Sequence, residues 1–375
     1  MIPTQVGSLK VAHRIAMAPL TRFRADAESV HGDLAVQYYG QRASTPGTLL
    51  VSESTFIAEC ASGVPHMPGI WSPAQIEGWK KVTSEVHAKG SFIFCQLYAT
   101  GRGTFREALP PQHDIISSGD IPVAPGMPIP RPLSLQEIDE YVELFHVAAK
   151  NALSAGFDGV EIHSNHGCLL DQFIQTNANN RTDEYGGSAK NRIRFIERVV
   201  RAVSETIGVE RTAIRVSPYE SFLGMRMPDV DLKETYNLLL TKLAPLGLAY
   251  ISITEPRVSG QMGVGADDGH GLSDNIDWAA KIWFDKAHGA SLTNVLVLAG
   301  GYLPETAAQR VEEGKLRGEI ILIAFGRWFI ANPDLPFRIK NGIQLHKYDR
   351  STFYTPVVAN GYIDYPFAAN SITAD

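Results

Sequence analysis

Short apolar runs alternate along this chain with longer stretches whose apolar residues recur every three or four positions. The runs at Ile15–Pro19, Leu49–Ser54, Ser91–Leu97, Gly159–His163, Thr212–Ser217, Tyr250–Thr254, Val295–Ala299 and Ile320–Phe325 predict eight buried strands. Helical periodicity fills Pro73–Lys89, Ser134–Ala155, Ala189–Ile207, Asp231–Leu246, Leu303–Glu313 and Pro333–Asn341. Start signals agree: Ser72 precedes Pro73, and Ser134 is followed by Glu137 as a capping box. Strands alternating with helices in this number predict the α/β class and a closed (β/α)8 TIM barrel. The stretch 100–132, rich in Pro and Gly, predicts an excursion over the barrel mouth. No shift in composition demands a second domain, so residues 1–375 are expected to form one.

Composition narrows the function classes. With 34 basic and 40 acidic residues the chain carries a net charge of −6, and no basic cluster follows an aromatic stripe. Nucleic acid is therefore not an expected partner. No apolar run reaches membrane-spanning length, and the first residues lack the charged start and apolar stretch of a secretory signal. The three cysteines, Cys60, Cys95 and Cys168, lack metal spacing and suit a reducing compartment, so a cytoplasmic protein without a metal is expected.

The chemistry gathers at the strand ends. In Val160-Glu-Ile-His163-Ser-Asn-His166-Gly-Cys168, two imidazoles and a thiol follow one apolar run. Side chains at the carboxyl end of a parallel strand face the mouth where such folds hold ligands. A pair of imidazole donors there suits an oxygen that gains negative charge. Packed or metal-binding histidines are the bland alternative. The other runs end in Pro19 and Thr21, in Ser54, in Gln96, in the lone Arg215 of an apolar segment, in Glu255 and Arg257, in Gly300-Gly301 and in Gly326-Arg327. A buried arginine is costly unless an anion or carbonyl-rich group meets it. Glycine turns after the last two strands are where a barrel often holds a phosphate. A phosphate end, a planar polar middle (Thr21, Gln96, Arg215) and a paired-His end would suit flavin mononucleotide.

Longer motifs carry a resemblance. The chain is similar to the old yellow enzyme family of flavin-dependent ene-reductases through Ala-Pro-Leu-Thr-Arg-Phe-Arg-Ala at 18–25, Pro-Gly-Ile-Trp-Ser at 68–72, Gln-Leu at 96–97 and Gly-Val-Glu-Ile-His at 159–163. The match continues in Asn-Arg-Thr-Asp-Glu-Tyr-Gly-Gly-Ser at 180–188, Arg-Val-Ser-Pro-Tyr at 215–219, Phe-Gly-Arg-Trp-Phe-Ile-Ala-Asn-Pro-Asp-Leu at 325–335 and Lys-Tyr-Asp-Arg-Ser-Thr-Phe-Tyr at 347–354. It leans toward fungal secondary-metabolism relatives.

The resemblance implies FMN as cofactor and NADPH, or NADH, as hydride donor. It implies that Pro19, Thr21, Ser54, Gln96 and Arg215 meet the flavin ring and that Gly300, Gly301, Gly326 and Arg327 hold its phosphate. Phe353 and Tyr354 would flank ring and pocket. His163 and His166 would grip the carbonyl oxygen of an enone or enal while hydride reaches its β-carbon, with Tyr98 and Tyr354 lining the substrate. Cys168 is the departure: the family usually has Tyr there as proton donor, and Tyr98 stands where Trp is common. A thiol or water then replaces the phenol, or Cys168 opens space, or the site performs redox-neutral isomerisation, cyclisation or desaturation instead. A Schiff-base aldolase would want a lysine at a strand end, and the eight strand segments contain none. Monomer and homodimer both remain open.

Overall fold

In a computed structural model, residues 1–256, 274–286 and 294–369 are described. The eight expected strands form, with ends shifted by up to three residues: β1 Ile15–Met17, β2 Leu49–Val51, β3 Phe92–Tyr98, β4 Gly159–Ser164, β5 Thr212–Val216, β6 Tyr250–Thr254, β7 Val295–Ala299 and β8 Ile320–Phe325. Each pairs in parallel with the next, β8 returns to β1, and β2 pairs with β3, which closes the barrel. The principal outer helices are α1 Asp33–Arg42, α2 Pro73–Ala88, α3 Leu135–Ser154, α4 Arg194–Ile207, α5 Asp229–Leu243, α6 Asp277–Asp285, α7 Pro304–Leu316 and α8 Leu335–Asn341.

Both expected capping motifs are made: the Ser72 and Ser134 hydroxyls accept the amides of Gln75 and Glu137, whose side chains reach back. The helix expected over Ala189–Ile207 breaks at Ile193 into Ala189–Arg192 and α4. Two helices were not legible. Helix α1 starts at Gly32 without a side-chain cap and buries Arg42 along with Ala35, Tyr38 and Tyr39. The Arg42 guanidinium is satisfied by the carbonyls of Phe329, Ile330 and Tyr362 and lies over the Tyr38 ring at 3.5 Å. A charge at a core position hides the helical period. Helix α6 begins just after undescribed residues, among which Arg257 lies.

The period of two along each strand sorts two environments. Ile162, Ile214, Val216, Ile251, Ile253, Leu296 and Leu298 face the helices. Inside, the lower layers are apolar, with Ala16, Leu49, Phe94, Ala213, Tyr250, Val295 and Leu322. A hairpin of Thr4–Val6 and Leu9–Val11 stops the amino-terminal end of the barrel, burying Val6 and Val11 against those layers. Its turn is tight: Gly7 has φ +53°, and a Cβ there would meet the Glu210 carbonyl. Toward the other end the interior changes to Gln96, Glu161, His163, Arg215, Ser252 and Thr254 on one side. Ala18, Ala299 and Ala324 supply only small side chains on the other. A polar wall thus faces a wall of alanines across the mouth.

The excursion at 100–132 does cover this end. Its short strands Ile116–Ser117 and Arg131–Pro132 pair with each other, and Arg102 donates to the carbonyls of Ile121 and Leu223, the latter in the loop after β5, each at 3.0 Å. Among the described residues no helix is long and apolar enough to cross a membrane, and no three His, Cys, Asp or Glu side chains are grouped to hold a metal.

Candidate active site

The end of β4 sets the site. After Ser164 the chain turns through His166 at φ +49° and Gly167 at φ +76°, then enters the short helix Leu169–Ile174 with Cys168 as its cap. Left-handed backbone at a non-glycine residue is strained and needs support. It comes from the Ser217 hydroxyl, which accepts the His166 amide at 3.0 Å, and from Asp171, which accepts the Gly167 amide at 2.9 Å. The turn brings the two imidazoles together, ring centroids 6.4 Å apart and nearly perpendicular.

His163 is 7% exposed, and its Nδ1 is buried with no hydrogen-bond partner among the described residues. Burial, with the nearby His166 and Arg215, holds its pKa well below the ordinary imidazole value. His166 lies with Nε2 3.1 Å from a carboxylate oxygen of Glu220 and Nδ1 3.1 Å from the Asn165 amide nitrogen. Burial lowers its pKa to about 4, against an upward push from Glu220 and a downward one from Arg215. Both rings are therefore neutral near pH 7. The carboxylate places the His166 proton on Nε2.

Glu220 is the residue the sequence reading missed. It is 4% exposed, and its second oxygen accepts the amides of Ser221 and Phe222 at 2.9 Å each. The signal was present as an acid directly after Arg-Val-Ser-Pro-Tyr, beyond the last matched residue of that motif. Exchanging Glu220 for Gln removes the upward push on His166. The expected result is a His166 that stays neutral to still lower pH than about 4, read by NMR titration of the imidazole. A His166 that instead titrates at the ordinary imidazole pH would show that burial does not control it.

Beside the imidazoles runs a polar floor. Arg215 pairs in register with His163 across β4 and β5, as Gln96 does with Glu161 across β3 and β4. The Ser54 hydroxyl donates to the Gln96 carbonyl at 2.8 Å, and the Gln96 amide donates to Glu161 at 2.7 Å. Arg215 is 6% exposed and reaches the Thr254 hydroxyl at 3.4 Å. Its Nε and Nη1 are buried without a hydrogen-bond partner among the described residues. Burial lowers its pKa, and the neighbouring Glu161 partly offsets this. A desolvated guanidinium with idle donors fits an electron-rich, planar acceptor.

The remaining positions frame the opening. Pro19 and Thr21 follow β1 and are half-buried. Gly300 and Gly301 follow β7 with φ +127° and +66°, and Gly326-Arg327 follow the adjacent β8 where a helical turn begins. The Arg327 guanidinium lies over the Tyr348 ring at 5.5 Å. A carboxy-terminal segment supplies Phe353, buried, and Tyr354, 39% exposed, whose ring is 5.5 Å from Phe23. Arg22 and Arg24 hold that segment, donating to the carbonyls of Thr352, Phe353, Asn360 and Gly361. The arginines of the motif at 18–25 are thus structural.

Tyr98 ends β3 with its ring 4.8 Å from that of His163, edge-on. Cys168 is buried, and its thiol donates to the His163 carbonyl at 3.0 Å, with burial pushing its pKa up to about 12. That hydrogen is occupied by backbone. Cys95 is enclosed in the wall behind Gln96, its thiol likewise pushed up to about 12 by burial. Glu255 accepts the Tyr302 phenol at 2.5 Å; its expected partner Arg257 lies outside the described residues.

Comparison with known proteins shows the family and the fold. A family model described as NADH:flavin oxidoreductase / NADH oxidase family matches residues 2–346. The chain is 46% identical over 374 residues to the NADP-dependent oxidoreductase lnbE of Aspergillus flavus, covering 99% of this chain and 96% of that protein. It is 45% identical over 369 residues to the chanoclavine-I aldehyde reductase fgaOx3 of Penicillium roqueforti, covering 98% and 96%. The solved structure of morphinone reductase superposes with a TM-score of 0.86 at 36% identity, over 99% of this chain and 96% of that one.

Proposed function

The chain belongs to the NADH:flavin oxidoreductase / NADH oxidase family, and from that premise we propose that its mouth binds FMN and reduces the activated C=C bond of an α,β-unsaturated aldehyde or ketone. It is an NAD(P)H-dependent FMN oxidoreductase of the old yellow enzyme type. NADPH is the expected donor, after the NADP-dependent relative. The observation that carries the reading is the buried, idle face of Arg215 one strand from His163.

FMN fits the residues present. Arg215 would meet the electron-rich pyrimidine edge of the ring, where the reduced form accumulates negative charge. Gln96, steered by Ser54 and Glu161, has one amide hydrogen left for the same edge. Pro19 and Thr21 would contact the ring from β1, and Gly300, Gly301, Gly326 and Arg327 would hold the phosphate. When bound, FMN would supply the transfer of hydride from NADPH to carbon.

The chain's own residues then have definite tasks. His163 and His166 hold the substrate oxygen and stabilise it as it becomes an enolate, each well-placed donor being worth about 3 kcal/mol. His166 must turn its Nε2–H from Glu220 toward that oxygen, which makes Glu220 the anchor it returns to. Tyr98 and Tyr354 bound the space for the substrate, and the covering excursion excludes water.

A second reading, redox-neutral isomerisation, cyclisation or desaturation of a conjugated carbonyl metabolite, gains from one observation: the Cys168 thiol is turned to backbone, which does not favour it as a proton donor. One experiment separates the two. Under anaerobic conditions NADPH should bleach the yellow flavin band, and 2-cyclohexenone should restore it with one NADPH oxidised per product. Product without stoichiometric oxidation would give the site to the redox-neutral reading.

A further inference from the structure

We propose that the Tyr98 phenol donates the proton that completes C=C reduction, a role that rests on the ene-reductase reading above. Hydride at the β-carbon leaves an enolate, and the saturated product forms only when the α-carbon receives a proton. Among the described residues, five side chains placed above at the mouth are candidates to give up a proton. His163 and His166 are engaged on the substrate oxygen in that reading. The Cys168 hydrogen is held by the His163 carbonyl. Tyr354 packs on Phe23, two residues beyond Thr21.

Tyr98 stands where a donor is needed. It lies two residues beyond Gln96 on β3, so strand alternation puts both on the same side. Its ring meets the His163 ring edge-on at 4.8 Å. The neighbouring Cys168 adds to the cost of ionising its hydroxyl, while Thr100 partly offsets it. Because the Cys168 side chain is short and folded back, the phenol has that corner of the pocket. Burial raises the phenol above its ordinary pKa, so it is protonated at neutral pH.

The step balances without another reagent. The Tyr98 O–H bond breaks, a C–H bond forms at the α-carbon with the enolate electron pair, and the carbonyl is restored on the imidazole side. The phenolate regains its proton from water. An enolate carbon is a far stronger base than a phenolate, so transfer runs downhill even from a buried phenol.

Tyr98→Phe, nearly the same shape, is the test. Two rates are read on one FMN-loaded preparation: bleaching by NADPH, and reoxidation by 2-cyclohexenone in H2O and D2O. Reoxidation, normalised to bleaching, should fall by roughly 10²–10⁴-fold. The dissociation constant of p-hydroxybenzaldehyde, followed by its charge-transfer band, should change by less than about threefold. Reoxidation that keeps its rate and its solvent isotope effect overturns the proposal. So does a loss matched by equal weakening of phenol binding, which would make Tyr98 a packing residue only. If instead the wild-type flavin neither bleaches with NADPH nor recovers with the enone, it is the ene-reductase reading that fails.

Discussion

Replacing His163 and His166 together by Ala should lower enone-dependent reoxidation of the flavin by about four orders of magnitude. Removing one donor to a developing oxyanion typically costs roughly 10²–10³ in rate. In the proposed mechanism the two rings hold one oxygen, so their losses should combine to less than the product of the single values. The charge-transfer colour with phenols should vanish as well, because phenolate oxygen would occupy the same donors. Bound FMN and the rate of bleaching should be much less affected, since neither imidazole is among the residues assigned to the flavin. A double variant that still reduces 2-cyclohexenone near the wild-type rate would remove the pair from the mechanism.

The second large effect concerns Arg215, and it has opposite signs on cofactor and fold. Exchange for Met removes charge-assisted hydrogen bonds to the flavin, each worth about 1.5–3 kcal/mol. Two of them together should weaken FMN binding by on the order of a thousandfold, measured by quenching of flavin fluorescence. The apo-protein should behave the other way. Its guanidinium is desolvated with Nε and Nη1 unmatched, a burden Met does not carry. Glu161 would lose its counter-charge, but burial already raises its pKa, so it can become neutral instead. The apo form of Arg215→Met should therefore melt at or above the wild-type apo temperature, while the gain on adding FMN shrinks. Unchanged FMN affinity would place the flavin elsewhere.

Most of the barrel was legible because its strands are continuous apolar runs bounded by turn residues, a pattern that parallel sheets enforce by burying both faces. Helix α1 escaped because Arg42 occupies a core position and three of the carbonyls that satisfy it lie 287 to 320 positions away. No local window contains them. In the site, His163, His166, Gln96 and Arg215 stood out because polar residues at the ends of apolar runs are costly and therefore conspicuous. The orientation of their side chains did not. That the Cys168 thiol turns to the His163 carbonyl, or that Glu220 anchors His166, depends on the left-handed turn at 166–167 and the loop after β5 meeting in space. Such meetings are decided by tertiary packing, which composition and spacing do not encode.

The bonds from Arg22 and Arg24 to the carbonyls at 352–361 have a consequence for biogenesis. One side of the entrance is built by a contact spanning 331 positions, so that wall cannot close before Phe353 has been synthesised. A nascent chain without it offers the vitamin-derived prosthetic group only part of its berth, and loading should follow synthesis of that segment.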